Sequence, residues 1–168
     1  AMQNNISGVI LYDETIRQKA ADGTPLTEIM VAAGALPGIK VDAGAKDLAG
    51  HPGEMVTEGL DGLRERLSEY HQLGAKFAKW RAVLNITDNA PSAACLNANT
   101  HALARYAALC QEAEIVPIVE PEVIMDGSHS VARCYEVTSA ALTALYEQLA
   151  MQNVHLEGTI LKPNMIVS

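Results

Sequence analysis

Cysteine is scarce in this sequence: three residues, Cys95, Cys110 and Cys134, stand far apart in a chain of 168. That is too few and too scattered for a disulfide framework, and an odd count leaves at least one thiol unpaired, so a reducing compartment is expected. Basic residues are also in deficit, with 12 Lys and Arg against 20 Asp and Glu, a net charge of -8 and a pI near 5.0. No cluster of them forms a patch for nucleic acid or an anionic membrane, so neither is expected as a partner. No apolar run approaches the roughly 18 residues of a membrane span. The segment Ala1 to Asn5 lacks the basic and apolar regions of a secretory signal. A cytoplasmic location is the resulting expectation.

Metal and nucleotide motifs are missing as well. The histidines His51, His71, His101, His129 and His155 fall in loops, on helices or at a strand start, without H-E-x-x-H, C-x-x-C or a compact His/carboxylate set. Each is read as a surface residue, and no metal is expected. The glycines fit neither G-x-G-x-x-G nor G-x-x-x-x-G-K-[ST], so no nucleotide cofactor is expected either.

What the sequence does contain is alternation. Short apolar, β-branched runs at Ser7 to Leu11, Leu36 to Val41, Phe77 to Val83, Ile115 to Val119 and Leu156 to Leu161 read as strands. Helical periodicity fills the stretches between them, the pattern of βα units around a parallel sheet. One helix carries Leu63, Leu67 and Tyr70 and stops at Gly74. A second starts near Pro91 and Ser92 and carries Leu96, Leu103, Tyr106 and Cys110. A third spans about Ser128 to Gln152 with Val131, Cys134, Leu142, Leu145 and Leu149. The cysteines on these stripes are expected to be structural. Residues 43–57 read as a long, glycine-containing loop of the kind that is often functional. The whole chain, 1–168, reads as one domain.

Strands of a parallel sheet are covered on both faces and are normally apolar, so charges within them call for a reason. Lys40, Lys79, Glu120 and Lys162 are separated by 39, 41 and 42 positions, each at the C-terminal end of a strand candidate. In a (β/α)₈ barrel that is the face where active sites are assembled. Alternation puts Lys40 with Asp42, Lys79 with Arg81, Glu120 with Glu122, and Lys162 with Asn164 on common faces. A lone Lys or Glu at a strand end is usually solvated; four in register point to one mouth. Trp80, between Lys79 and Arg81, is expected to pack under the covering helices. Amines among carboxylates suit Schiff-base chemistry, since desolvation or a neighbouring cation makes a lysine nucleophilic. Lys162 is the expected nucleophile, with Lys79 as its cationic neighbour and Glu120 or Glu122 as proton carrier. Arg81 and Lys40 are left to neutralise a phosphate.

The segments Gly38-Ile39-Lys40-Val41-Asp42, Glu58-Gly59-Leu60-Asp61-Gly62-Leu63, Phe77-Ala78-Lys79-Trp80-Arg81, Val116-Pro117-Ile118-Val119-Glu120-Pro121-Glu122 and Leu156-Glu157-Gly158-Thr159-Ile160-Leu161-Lys162-Pro163-Asn164-Met165 together resemble class I fructose-bisphosphate aldolase. The resemblance runs without a gap from about Ile6 to Ser168. It implies a TIM (β/α)₈ barrel of which this chain supplies about strands 2 to 6, a phosphorylated sugar substrate, no cofactor, and a homo-oligomer, a tetramer in the family. It also implies that Lys162 forms the imine, that Glu120 is the general acid/base, and that Lys79 and Arg81 contact the substrate. By the same resemblance Glu122, Lys40 and Asp42 complete the polar site, and Asn164, on the face of Lys162, is expected among the substrate-binding residues. Ala43, Glu58 and Glu114 depart from common family residues beside the chemistry. Family members are about twice this long, so the alternative expectation is a non-catalytic part of such an enzyme or an interaction module derived from one.

Overall fold

The computed structural model describes residues 5–168; Ala1 to Asn4, read above for a secretory pattern, lie outside them. Five strands, β1 (Gly8–Leu11), β2 (Leu36–Lys40), β5 (Phe77–Leu84), β6 (Val116–Val123) and β7 (Ile160–Leu161), form one sheet in the order β1-β2-β5-β6-β7, every pair parallel. A two-stranded antiparallel hairpin, β3 (Ala45–Asp47) and β4 (Met55–Thr57), stands apart. The stretch expected to be an irregular loop therefore has its own ladder. The short helices α1 (Asp13–Ile16) and α2 (Leu26–Ala32), which the periodicity did not reveal, fill the first crossover.

The longer helices α3 (Leu63–Gln72), α4 (Ala93–Glu112) and α5 (Val131–Met151) form the other layer. Two of them start where a serine cap satisfies an orphan amide: Ser92 Oγ accepts from Cys95 N–H at 3.1 Å, and Ser130 Oγ accepts from Arg133 N–H at 3.2 Å. Gly74, at φ +99°, ends α3 in a conformation costly for any side chain. The core lies between layers. Leu63, Leu67 and Tyr70 of α3, Leu103, Tyr106 and Cys110 of α4, and Cys134, Leu145 and Leu149 of α5 are all buried. Val131 is exposed, contrary to its expected place on the stripe, and Val137 and Ala141 take buried positions instead. All three cysteines are free and buried, and burial pushes the Cys110 thiol up, as suits packing rather than reaction.

The opposite face of the sheet is open. Along β5 the burial alternates strictly, with Ala78, Trp80, Ala82 and Leu84 buried under the helices and Phe77, Lys79, Arg81 and Val83 half-buried on the other side. Trp80 packs against Tyr106, ring centroids 5.5 Å apart. On the open face the Phe77 ring lies so close over β1 and β2 that a Cβ at Gly38 would come within 2.3 Å of it. That approach is why the position carries no side chain.

Candidate active site

The sheet register decides which charges meet. Lys40 is level with Lys79, and Arg81 with Glu120, while the Lys162 amide donates to Val119 O at 3.0 Å, which puts Lys162 in the row of Glu120. The Arg81 amide in turn donates to Asp42 Oδ2 at 3.4 Å. The charges thus form two tiers two residues apart on one face: Lys40 and Lys79 below, and Arg81, Glu120 and Lys162 at the rim. The near-equal sequence spacing suggested a single tier; counting residues between strands does not fix where pairing begins.

Two expected strand boundaries also move. β6 runs on through Val123, so Glu120 and Glu122 lie within a paired strand rather than just past its end. The segment Leu156–Gly158 is a 3₁₀ turn, and only Ile160 and Leu161 pair as β7. Rigid strand backbone therefore holds Glu120, whereas Lys162 follows a very short strand.

Glu120 occupies the centre of the site, its side chain only 4% exposed. Its Oε1 accepts from Lys162 Nζ, and Lys79 Nζ lies 3.6 Å from Oε2. The two amines therefore flank one carboxylate, with Glu120 between Lys162 and Lys79. Oε2 has no hydrogen-bond partner among the described residues. A buried carboxylate oxygen left open beside two amines can receive or deliver a proton. Lys162 is 55% exposed in its side chain and is reached from the open face.

The remaining expected residues gather around this pair with distinct roles. Lys40 Nζ donates to Asp42 Oδ1 at 2.6 Å and to Asp42 O at 3.0 Å, and Asp42 Oδ1 also accepts from Gly44 N–H. Arg81 donates through Nε to Glu122, which leaves the terminal nitrogens of its guanidinium for an anion. Neither cation is solitary, so a phosphate here would join an existing ion pair. Asn164, expected to face substrate, instead spends its carboxamide on protein groups: Oδ1 accepts from Val123 N–H at 3.3 Å, and Nδ2 donates to Thr138 Oγ1 at 3.1 Å and Met165 O at 2.9 Å.

Several residues that support the site were not singled out in the sequence. Arg66 of α3 donates to Val41 O at 3.1 Å and Gly59 O at 2.7 Å, tying down the end of β2 that bears Lys40 and Asp42. Thr57 Oγ1 donates to Arg81 O at 2.7 Å. Asn99 of α4, buried, accepts from Thr57 N–H at 3.1 Å and donates to Met55 O at 2.9 Å, fastening the hairpin to the helix. The signal for Asn99 and Thr138 was present as a polar residue in the apolar stripe of a covering helix. His129 departs from the surface reading, because both of its ring nitrogens are buried and have no hydrogen-bond partner among the described residues.

Comparison with known proteins bears on the family and the fold. The family model described as fructose-bisphosphate aldolase class-I matches residues 1–168. The chain is 65% identical over 167 residues to the "Probable fructose-bisphosphate aldolase class 1" of Xanthomonas axonopodis pv. citri, covering 99% of this chain and 50% of that protein. It is 54% identical over 161 residues to "Fructose-bisphosphate aldolase 6, cytosolic" of Arabidopsis thaliana, covering 96% and 45% respectively. Among solved structures, fructose-bisphosphate aldolase from Plasmodium falciparum, crystallised with TRAP and a small-molecule inhibitor, superposes with a TM-score of 0.94 at 44% identity, covering 97% of this chain and 48% of that one. The chain spans about half the length of the relatives it matches. The five-stranded sheet is accordingly a sector of a TIM barrel, its open face the barrel interior and its strand C-termini the mouth.

Proposed function

The chain belongs to the class-I fructose-bisphosphate aldolase family, and from that premise we propose that the whole protein cleaves fructose 1,6-bisphosphate to dihydroxyacetone phosphate and glyceraldehyde 3-phosphate, in glycolysis and in reverse in gluconeogenesis. The observation that carries the reading is the buried Glu120 carboxylate held between Lys162 and Lys79, with one oxygen open.

In this scheme the deprotonated Lys162 amine attacks the ketose carbonyl carbon. The carbinolamine loses its hydroxyl as water, Glu120 delivering the proton, and an iminium ion remains. A base at the same carboxylate then removes the C4 hydroxyl proton. The C3–C4 bond breaks, its electron pair flows into the iminium to give an enamine, and the aldehyde leaves. Protonation at C3 and hydrolysis return the amine and release the second product. Lys79, 3.6 Å from Glu120, offsets the carboxylate's charge, while Arg81 and Lys40 face a phosphate of the substrate. Glu122 and Asp42 hold those two cations in place.

The imine route makes no use of a metal, so cleavage should persist in excess chelator and vanish in Lys162→Met. Activity lost to chelator and kept by that variant contradicts the reading. The proposal takes over from the family a cytoplasmic setting and a tetramer of like subunits, which light scattering on the whole protein checks.

A further inference from the structure

We infer that Thr138, acting through the carboxamide of Asn164, is a positioning residue for Lys162; the catalytic consequence rests on the function proposed above, and the tether itself does not. Lys162 lies one residue beyond β7, whose paired length is two residues. The Lys162 amide donates to Val119 O at 3.0 Å, and past that bond the ladder has no regular continuation. Residues of β6 bond alternately to the two neighbouring strands. Val116 N–H donates to Lys76 O and Ile124 N–H to Leu84 O, so even positions face β5, whereas Val119 faces β7. Pro121 therefore faces β7 with no N–H to give, directly opposite the segment in which Pro163 likewise lacks one.

The Asn164 side chain bridges this gap. Its Oδ1 accepts from Val123 N–H, the next donor on that side of β6, and its Nδ2 reaches across to Thr138 Oγ1 on α5 at 3.1 Å. Thr138 is 4% exposed and sits in the face of α5 that packs on the sheet, between Cys134 and Ala141. A hydroxyl buried there without a partner would cost free energy, so its pairing favours one orientation of the carboxamide. Lys162 is thus held on both sides, by Val119 before it and by the Asn164–Thr138 link after it. Glu120 needs no such device, because it lies inside the long β5–β6 ladder. The link consequently sets where Lys162 stands relative to Glu120, and misplacement of a reacting group by about 1 Å can cost about 100-fold in rate.

The test compares Thr138→Val, which keeps the shape and loses the hydroxyl, with Thr138→Ser, which keeps the hydroxyl. Hydrogen exchange on the whole protein, which needs no turnover, reads the tether. The Val123 amide should exchange about tenfold faster in Thr138→Val and within about twofold of wild type in Thr138→Ser, while the thermal midpoint falls by no more than a few degrees in either. In the whole protein, kcat should fall about tenfold in Thr138→Val with KM within about twofold, and Thr138→Ser should restore it. Unchanged exchange at Val123 in Thr138→Val overturns the tether. Equal loss of kcat in both variants, or a proportional change in KM, overturns the positioning role. A wild-type protein that leaves the bisphosphate uncleaved overturns the proposed function and the catalytic consequence with it, and the exchange result still decides the tether.

Discussion

Glu120 lies against the amines of Lys79 and Lys162, and the proposed mechanism asks most of it. Glu120→Gln preserves size and hydrogen bonding but cannot take up a proton, so kcat should fall by about 10²- to 10⁴-fold, the usual worth of a positioned acid/base. Steady-state assays of the whole protein check this, and a loss under about tenfold would remove Glu120 from the proton path. Glu54, also buried, accepts from the Ser92 amide at the start of α4. Burial pushes its carboxyl up, but the bonds from Ser92 and the charge of His51 outweigh that and hold it below the usual carboxylate range. A depressed native value means that its contribution to stability is full above the ordinary carboxylate value and is lost as the pH falls through the native one. Urea midpoints should therefore fall less steeply with acid in Glu54→Gln than in wild type; parallel curves contradict the assignment. Residue types and strand faces were legible in the sequence, because a charge on a buried strand is conspicuous. Which amine meets which carboxylate was not, since Lys79 and Lys162 both approach Glu120 through side-chain geometry that a spacing of 41 or 42 residues leaves open.

Among the elements, the β3–β4 hairpin shows how a segment read as loop becomes part of the scaffold. Asn99 supplies both a donor and an acceptor to it, and Thr57 passes the connection on to the backbone of Arg81. Asn99→Ala leaves the Thr57 N–H and the Met55 C=O without that partner and should destabilise the fold by about 1–3 kcal/mol in urea denaturation. A change within experimental error would show that the hairpin is held by other contacts. The hairpin was hidden because three-residue strands carry too little alternation to read. The expected strand ran across Pro117 and stopped short of Pro121, both residues that normally argue against an interior strand. Both sit at odd positions, whose amides face β7, and β7 pairs over only two residues, so neither missing N–H breaks the ladder with β5. The long helices were legible because their caps and apolar stripes are local signals, whereas α1 and α2 are too short to show a period.

As a whole, the molecule is a barrel sector whose sheet, among the described residues, ends in two unpaired edges, β1 and β7, and whose inner face exposes Ile10, Leu36, Val116 and Ile160. Unpaired edges beside apolar surface favour association, so the isolated 168-residue chain should self-associate, as sedimentation would show. With Lys162 open to water on that face, it should also lack measurable cleavage, because a charge-separated step needs a site closed to solvent. Turnover by the isolated chain would contradict this. The central claim, that Lys162 is the amine that captures the substrate ketone, is tested most directly by reducing the whole protein with borohydride in the presence of fructose 1,6-bisphosphate or dihydroxyacetone phosphate and mapping the product by peptide mass spectrometry. The account predicts one triose phosphate-derived adduct, on Lys162, absent in Lys162→Met; an adduct on Lys79 or Lys40, or active protein that reduction leaves unlabelled, would contradict it.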